Sequence, residues 1–235
     1  MGKWPLAFAN DTHSNRLLAG LPAADLARLA RGLAQVALPV REMLEYPHRP
    51  IESIFFPLSG IVSIVAEVPE YQLEVGIIGR EGMTGVSVLL GGDSSPHRCF
   101  VQVAGEALRI STPEFRQALA GSPALTAHFL AYARLLLLQT AGTALANGRC
   151  TIEERLARWL LMSSERLDSN DVPLTHEFLA LMLGVRRPGV TIALQTLEGQ
   201  KAICNLRGLI TIVDRDKLKA LGGGAYRLSS LFPGS

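Results

Sequence analysis

Arg186 and Arg187 stand side by side at the start of a predicted helix, Arg187-Pro-Gly-Val-Thr-Ile-Ala-Leu-Gln-Thr-Leu-Glu198, where the positive end of the helix dipole disfavours cations. Neither guanidinium serves the helix there. Each offers a rigid fork of N–H donors that matches a phosphate or the major-groove edge of a guanine, so an anionic partner would remove the conflict. A third guanidinium, Arg207, sits beside Gly208 between two runs rich in β-branched residues, at a predicted hairpin tip. Residues 174 to 235 carry eight Lys and Arg against four Asp and Glu, whereas the rest of the chain carries 15 against 17. The basic excess therefore lies at the C-terminal end, as expected of a surface that displaces counterions from a polyanion.

Other reactive side chains are scattered. Cys99, Cys150 and Cys204 lack the paired spacing of a zinc or iron–sulfur site and are read as unpaired thiols. His48 and His97 do not form the close His-x-His pair of a metal-holding barrel, so no metal site is expected and a cupin-like enzyme is a minor alternative. The chain is not expected to be an enzyme. At 235 residues and 48% hydrophobic composition it can bury a core and is long enough for two domains. Met1 to Asp11 reaches polar residues too soon for a secretory leader, so a cytoplasmic location is expected.

The elements that must hold the guanidiniums follow from periodicity. Phe178, Leu179, Met182 and Leu183 recur at helical spacing, with Thr175 placed to cap the first amides. Val190, Ala193, Leu194 and Leu197 repeat the pattern in the next segment. Gly184 lies between them and permits the positive φ of a tight turn between helices. Two short helices followed by a hairpin over Lys201 to Val213 form a helix-turn-helix with a wing. A helix pair that binds protein, in a ligand-independent interaction module, is the alternative reading.

Upstream, Leu17 to Leu33 has helical periodicity, with Pro22 and Asp25 early in the helix. Short β runs follow at Ser53–Phe56, Ile61–Ala66, Leu73–Ile78, Val86–Leu90, Cys99–Val103 and Ala107–Ile110. Strands this short, broken by Gly and Pro, predict a small antiparallel barrel or jelly roll. From Pro123 to about Asn147 a long helix carries Leu125, Phe129, Tyr132, Leu136, Gln139 and Thr143 in a three-four repeat, with His128 and Arg134 as its sole basic or acidic residues. These six residues are read as the seam of a coiled-coil-like homodimer, and the polar interruptions argue against a membrane span.

In this order of elements the chain resembles the Crp–Fnr family of bacterial transcription regulators. The resemblance rests on Glu153-Glu-Arg-Leu-Ala-Arg-Trp-Leu-Leu161, the helix pair from Leu174 to Gln200, Arg207-Gly-Leu-Ile-Thr-Ile-Val-Asp-Arg215, Phe55-Phe-Pro-Leu-Ser-Gly-Ile-Val-Ser-Ile64 and Gly79-Arg-Glu-Gly-Met-Thr-Gly85. It implies an α+β fold: an N-terminal antiparallel β-roll or jelly-roll barrel with its preceding helix over 1–121, a dimerisation helix over 122–148 and a winged helix-turn-helix over 149–235. It also implies double-stranded DNA as partner, with RNA polymerase as a second one in an activator.

The family's three base-reading positions fall on Arg187, Pro188 and Ile192, flanked by Arg186 and Thr191, while Thr175, His176 and Arg207 are candidates for phosphate contacts. Arg187 can donate a bidentate pair to guanine, whereas Pro188 has no donor. In cyclic-AMP-binding members a Gly-Glu pair holds the ribose and an Arg-Ser pair the cyclic phosphate. Here those positions read Gly85-Val86 and Arg98-Cys99. Valine cannot accept from a ribose hydroxyl, a loss of about 1.5 to 3 kcal/mol, so an effector, if one is used, is not expected to be cyclic AMP. Iron–sulfur members use an N-terminal cysteine group, and this chain has no cysteine before Cys99. His48, His97 and His128 are isolated candidates for a haem ligand and are read as structural. No cofactor is expected.

Overall fold

In the computed structural model, which describes residues 12 and 14–227, the alternating runs of the N-terminal half become two small sheets. The Met1–Asp11 segment lies outside the described residues. Strands β1 (Ala34–Leu38), β3 (Ser53–Pro57) and β7 (Gly105–Ser111) form one antiparallel sheet in the order β1-β7-β3. Strands β2 (Met43–Glu45), β4 (Ile61–Val68), β5 (Tyr71–Ile78) and β6 (Arg98–Val103) form the other in the order β2-β6-β4-β5. Because side chains alternate along a strand, each sheet supplies an inner row. Leu38, Val62, Ile78, Cys99, Val101 and Ala107 are buried together in that interior as an apolar cluster. The outer face of the first sheet, with Ile54, Phe56, Leu108 and Ile110, is covered by helices. Those are α1 (Arg16–Ala19), α2 (Ala23–Ala30), α4 (Thr112–Ala120) and the first turns of α5 (Pro123–Arg149). At its centre Phe56, Phe115 and Phe129 stack as a tilted trio with ring centroids 5.4 to 6.4 Å apart.

Two readings of this half are corrected. The preface over Leu17–Leu33 is two helices, since the chain turns at Gly20 and Pro22 caps the second. Val86–Leu90 is not a strand: it forms the short helix α3 (Val86–Leu89), entered through Gly85 at φ 72°. A four- or five-residue apolar run fits either state by composition. The local amides close helical turns here, Val88 N–H to Gly85 C=O and Leu90 N–H to Val86 C=O, which decides it.

The C-terminal half opens with α6 (Ile152–Leu167), whose start is fixed by a reciprocal capping box between Thr151 and Glu154. After β8 (Asp171–Val172) come the helix pair α7 (His176–Leu183) and α8 (Arg187–Gly199), then β9 (Ile203–Leu206) and β10 (Leu209–Ile212), which form the wing with β8 in the order β8-β10-β9, and finally α9 (Arg215–Arg227). By compactness the chain forms two units. Of the described residues, one holds those up to Ile64 with Ile77–Leu135; the other holds Val65–Gly76 with those from Leu136 onward. In the second unit Glu74, in the β5 end of the hairpin, accepts from Trp159 Nε1 at 2.6 Å, and both side chains are buried. Arg158 beside them is 5% exposed, and burial pulls its guanidinium down to about 10.

Along α5 the six residues read as the dimer seam lie on one face. Leu125, Phe129 and Tyr132 are buried in the core of the first unit, and the Tyr132 hydroxyl donates to Met83 C=O at 3.1 Å. Gln139 is buried, Leu136 is half-buried, and Thr143 faces the Arg158 guanidinium at 3.4 Å. Four of the six, Leu125, Phe129, Tyr132 and Gln139, are buried within the protomer. The exposed leucines lie on the other face: Leu130 at 41%, Leu137 at 64%, Leu138 at 40% and Leu145 at 50%. A three-four repeat occurs on either side of an apolar helix, so the sequence alone could not choose between the faces.

Candidate nucleic-acid interface

Gly184 ends α7 in the left-handed region at φ 59°, which lets the chain leave one helix and start the next within a few residues. A side chain there is excluded twice, because the conformation disfavours a Cβ and one would lie 2.7 Å from Leu73 Cδ1. Thr175 caps α7, its hydroxyl accepting from Phe178 N–H at 3.3 Å. Arg155 of α6 donates to Leu183 C=O and satisfies the other end of the same helix. Leu179, Met182 and Leu183 of α7 and Val190, Ala193, Leu194 and Leu197 of α8 are buried, as their spacing predicts.

That packing fixes what α8 shows to solvent. Arg186 is its N-cap in extended conformation, Arg187 its first residue, and Pro188 follows where a missing N–H costs nothing. Arg186, Arg187 and Pro188 are exposed, Ile192 is 59% exposed, and Thr191 is half-buried with its hydroxyl donating to Arg187 C=O at 3.2 Å. Gln195 and Thr196, one turn beyond Thr191 and Ile192, are exposed on the same helix. The sequence reading passed over Gln195; its position four residues after Thr191 on the outward face is the signal that finds it, and its amide can pair with adenine.

The wing closes through Arg207-Gly208 between paired Leu206 and Leu209, with Gly208 at φ 79° as the second residue of a type II turn requires. Arg207 is exposed at this tip. Arg215 pairs with Glu165 at 3.1 Å, Lys217 with Asp214 at 3.7 Å and Lys219 with Asp216 at 3.5 Å. Among the described residues, Arg186, Arg187, Lys201 and Arg207 form no ion pair, so the basic excess resides on the recognition helix, just after it, and at the wing tip. His176, read as a phosphate contact, has neighbours within the domain. Its ring is half-buried, with Nδ1 3.2 Å from Thr191 Oγ1 and Nε2 3.3 Å from Asn205 Nδ2.

The four barrel residues considered for an effector do not converge. Gly85 N–H donates to Glu45 Oε1 at 2.6 Å, and a Cβ on Gly85 would lie 2.1 Å from Ile54 Cδ1. Val86 packs beside the helix-covered core. Cys99 points into the barrel interior, opposite Glu45 on the paired strand, and burial pushes its thiol well up. Arg98, next along β6, turns to the other face and lies over the Phe100 ring, 5.3 Å from its centroid. Glu45 is the buried polar group that the sequence reading missed. Burial raises its carboxyl pKa, against the lowering by the Gly85 amide. The three isolated histidines are held apart: His48 is in a turn at φ 58°, burial lowers His97, and His128 Nε2 lies 2.8 Å from Leu17 C=O. Among the described residues no three His, Cys, Asp or Glu gather as a metal-binding group.

Residues 154–221 match the Crp-like helix-turn-helix domain family. No curated protein sequence matches the chain. Several solved structures share its fold. The regulator CLP of Xanthomonas campestris, described as c-di-GMP responsive, is 19% identical with a TM-score of 0.67, over 81% of this chain and 99% of its own. FixK2 of Bradyrhizobium japonicum is 18% identical with a TM-score of 0.70, over 80% and 96%. A protein of Eubacterium rectale described as a transcriptional regulator of the crp/fnr family is 15% identical with a TM-score of 0.70, over 89% and 99%. The resemblance to the Crp–Fnr family and the α+β fold read from the sequence are both borne out.

Proposed function

Proceeding from a chain that carries a Crp-like helix-turn-helix domain on the fold of the Crp–Fnr regulators, we propose that it works as a homodimeric, sequence-specific DNA-binding transcription regulator of the cytoplasm. The observation that carries this reading is the outward row of α8, with Arg186 and Arg187 unpaired at its N-terminus and no acidic residue in its first turn. Arg187 reads a guanine, Pro188 and Ile192 offer apolar contact to a thymine methyl, and Gln195 extends the row. Thr175 and Arg207 hold phosphates. An activator would also touch RNA polymerase.

The partner copy covers the leucine face of α5. Leu130, Leu137, Leu138 and Leu145 with Arg134 and Ala141 form a stripe along one side of a 27-residue helix, and a two-fold axis alongside it would bury the stripe against itself. The helix is long and apolar enough to cross a membrane, but its other side is occupied by the protomer's own core, which favours the dimer. Cyclic AMP does not suit the barrel, because Val86 has no acceptor and Arg98 lies on the opposite face of its strand from Cys99. No cofactor is required.

Selection of binding sites from random DNA tests the reading. A two-fold symmetric consensus with half-sites about one helical turn apart is expected, and failure to enrich any sequence would refute it. Native mass spectrometry of the same preparation should give twice the 25.3 kDa chain mass. Calorimetric titration with cyclic AMP should show no tight, saturable binding.

A further inference from the structure

His176, Thr191 and Asn205 come from three elements and meet at one point. An amide nitrogen only donates, so Asn205 Nδ2, 3.3 Å from His176 Nε2, requires that ring nitrogen to accept. The imidazole proton is thereby placed on Nδ1, 3.2 Å from Thr191 Oγ1, and the Thr191 hydroxyl passes its own proton to Arg187 C=O. Donation runs in a single direction from the wing, through the first residue of α7, into the first turn of the recognition helix. Asn205 is held at its backbone as well, since its N–H donates to Glu198 Oε1 at 2.9 Å near the far end of α8.

Asn205 bears a cost for this arrangement. Its Oδ1 is buried without a partner, which lowers stability, so an asparagine here is explained by the donor it presents and not by what it adds to the fold. Two residues along the chain is Arg207, the wing's phosphate-facing cation, and at the other end of the chain of bonds is Arg187, the base-reading one.

We propose that Asn205 is a positioning residue for DNA reading: through His176 and Thr191 it locks the wing tip to the start of the recognition helix, and His176 acts through this tie without touching phosphate. The inference rests on the DNA-binding reading and assigns a role within that site.

The test uses the full-length dimer and the DNA selected by the wild-type protein. Asn205→Ala and His176→Phe should each weaken binding about five- to tenfold, the loss expected for one hydrogen bond. The double variant should bind no worse than the weaker single variant, and the salt slope should stay unchanged, because no phosphate contact has been removed. Multiplying losses, or a shallower slope for His176→Phe, would overturn the tie in favour of separate DNA contacts. Nitrogen-15 NMR of the DNA-free protein gives a readout that misfolding would not imitate. His176 should be protonated at Nδ1 in the wild type and should shift toward the Nε2-protonated form in Asn205→Ala; no change of tautomer would also overturn the proposal. A wild-type protein that selects no DNA would refute the parent reading, while the NMR result would still decide whether the tie exists.

Discussion

The reading module and the barrel place their polar side chains in opposite ways. In the module Arg187, Gln195 and Arg207 face solvent, and part of their support is local: Thr191 bonds back four residues to Arg187, and Thr175 caps three residues ahead. In the barrel Glu45 and Cys99 face inward, and the key bond of Glu45 joins it to Gly85 across 40 residues. An outward site needs a scaffold behind it, which periodic apolar residues supply. An inward site is decided by what else packs there, and here Cys99 lies within an apolar cluster.

The sharpest way to separate the two regions is to remove a scaffold residue. Phe129→Ala takes one ring from the aromatic trio behind the first sheet and should cost about 3 to 5 kcal/mol of stability in denaturant titrations. Among molecules that remain folded, the DNA consensus should not change. Next is the exposed side of the same helix. Leu137→Asp should leave the protomer folded, since that side chain is 64% exposed, yet halve the mass seen in solution. DNA affinity should then fall about a hundredfold, as two half-sites no longer bind as one unit. A variant that stayed dimeric and bound normally would return the seam to the six inward residues and erase this contrast of faces.

Smaller effects lie within the reading module. Arg187→Ala should lose about 1 to 3 kcal/mol of discrimination at one base pair per half-site, measured by repeating the selection. Arg207→Ala should weaken all sequences alike and reduce the salt slope by about one per protomer. An unchanged consensus for the first, or a changed one for the second, would mean that helix and wing exchange the roles assigned to them.

This contrast also explains what was legible in the sequence. The helix pair, the Gly184 turn, the Arg207–Gly208 hairpin and the long helix follow from neighbours within about one or two turns, and each is where the periodicity put it. Thr151 and Glu154, three apart, likewise announce the start of α6. The failures are long-range or two-valued. Val86–Leu90 is apolar enough for a strand, and only the Gly85 conformation makes it a helix. The six residues read as a seam include Leu125, Phe129 and Tyr132, which the protomer's own core covers, and what covers a helix face is a tertiary fact. His176 reads from its place beside the Thr175 cap as a phosphate contact, and its neighbour Asn205, 29 residues away, is not visible from local sequence. Glu45 has no sequence neighbour that hints at Gly85.

The barrel's inward polarity can be probed with a smaller and more particular effect. Burial raises the Glu45 carboxyl in the folded protein, whereas in the unfolded chain it keeps an ordinary value of about 4.3. The unfolded state therefore ionises first as pH rises, and the stability that protonated Glu45 supplies is present below that value and lost as pH climbs through the higher folded value. Glu45→Gln keeps an acceptor for Gly85 N–H at the same position and has no charge to desolvate. Denaturant titrations at a series of pH values should show the wild type losing stability relative to the variant across this window and the difference levelling off above it. A variant less stable than the wild type near neutral pH would mean that the charged hydrogen bond to Gly85 outweighs desolvation. In that case the barrel would be holding an ionised carboxylate at its centre, and its contrast with the charge-presenting module would be one of direction only.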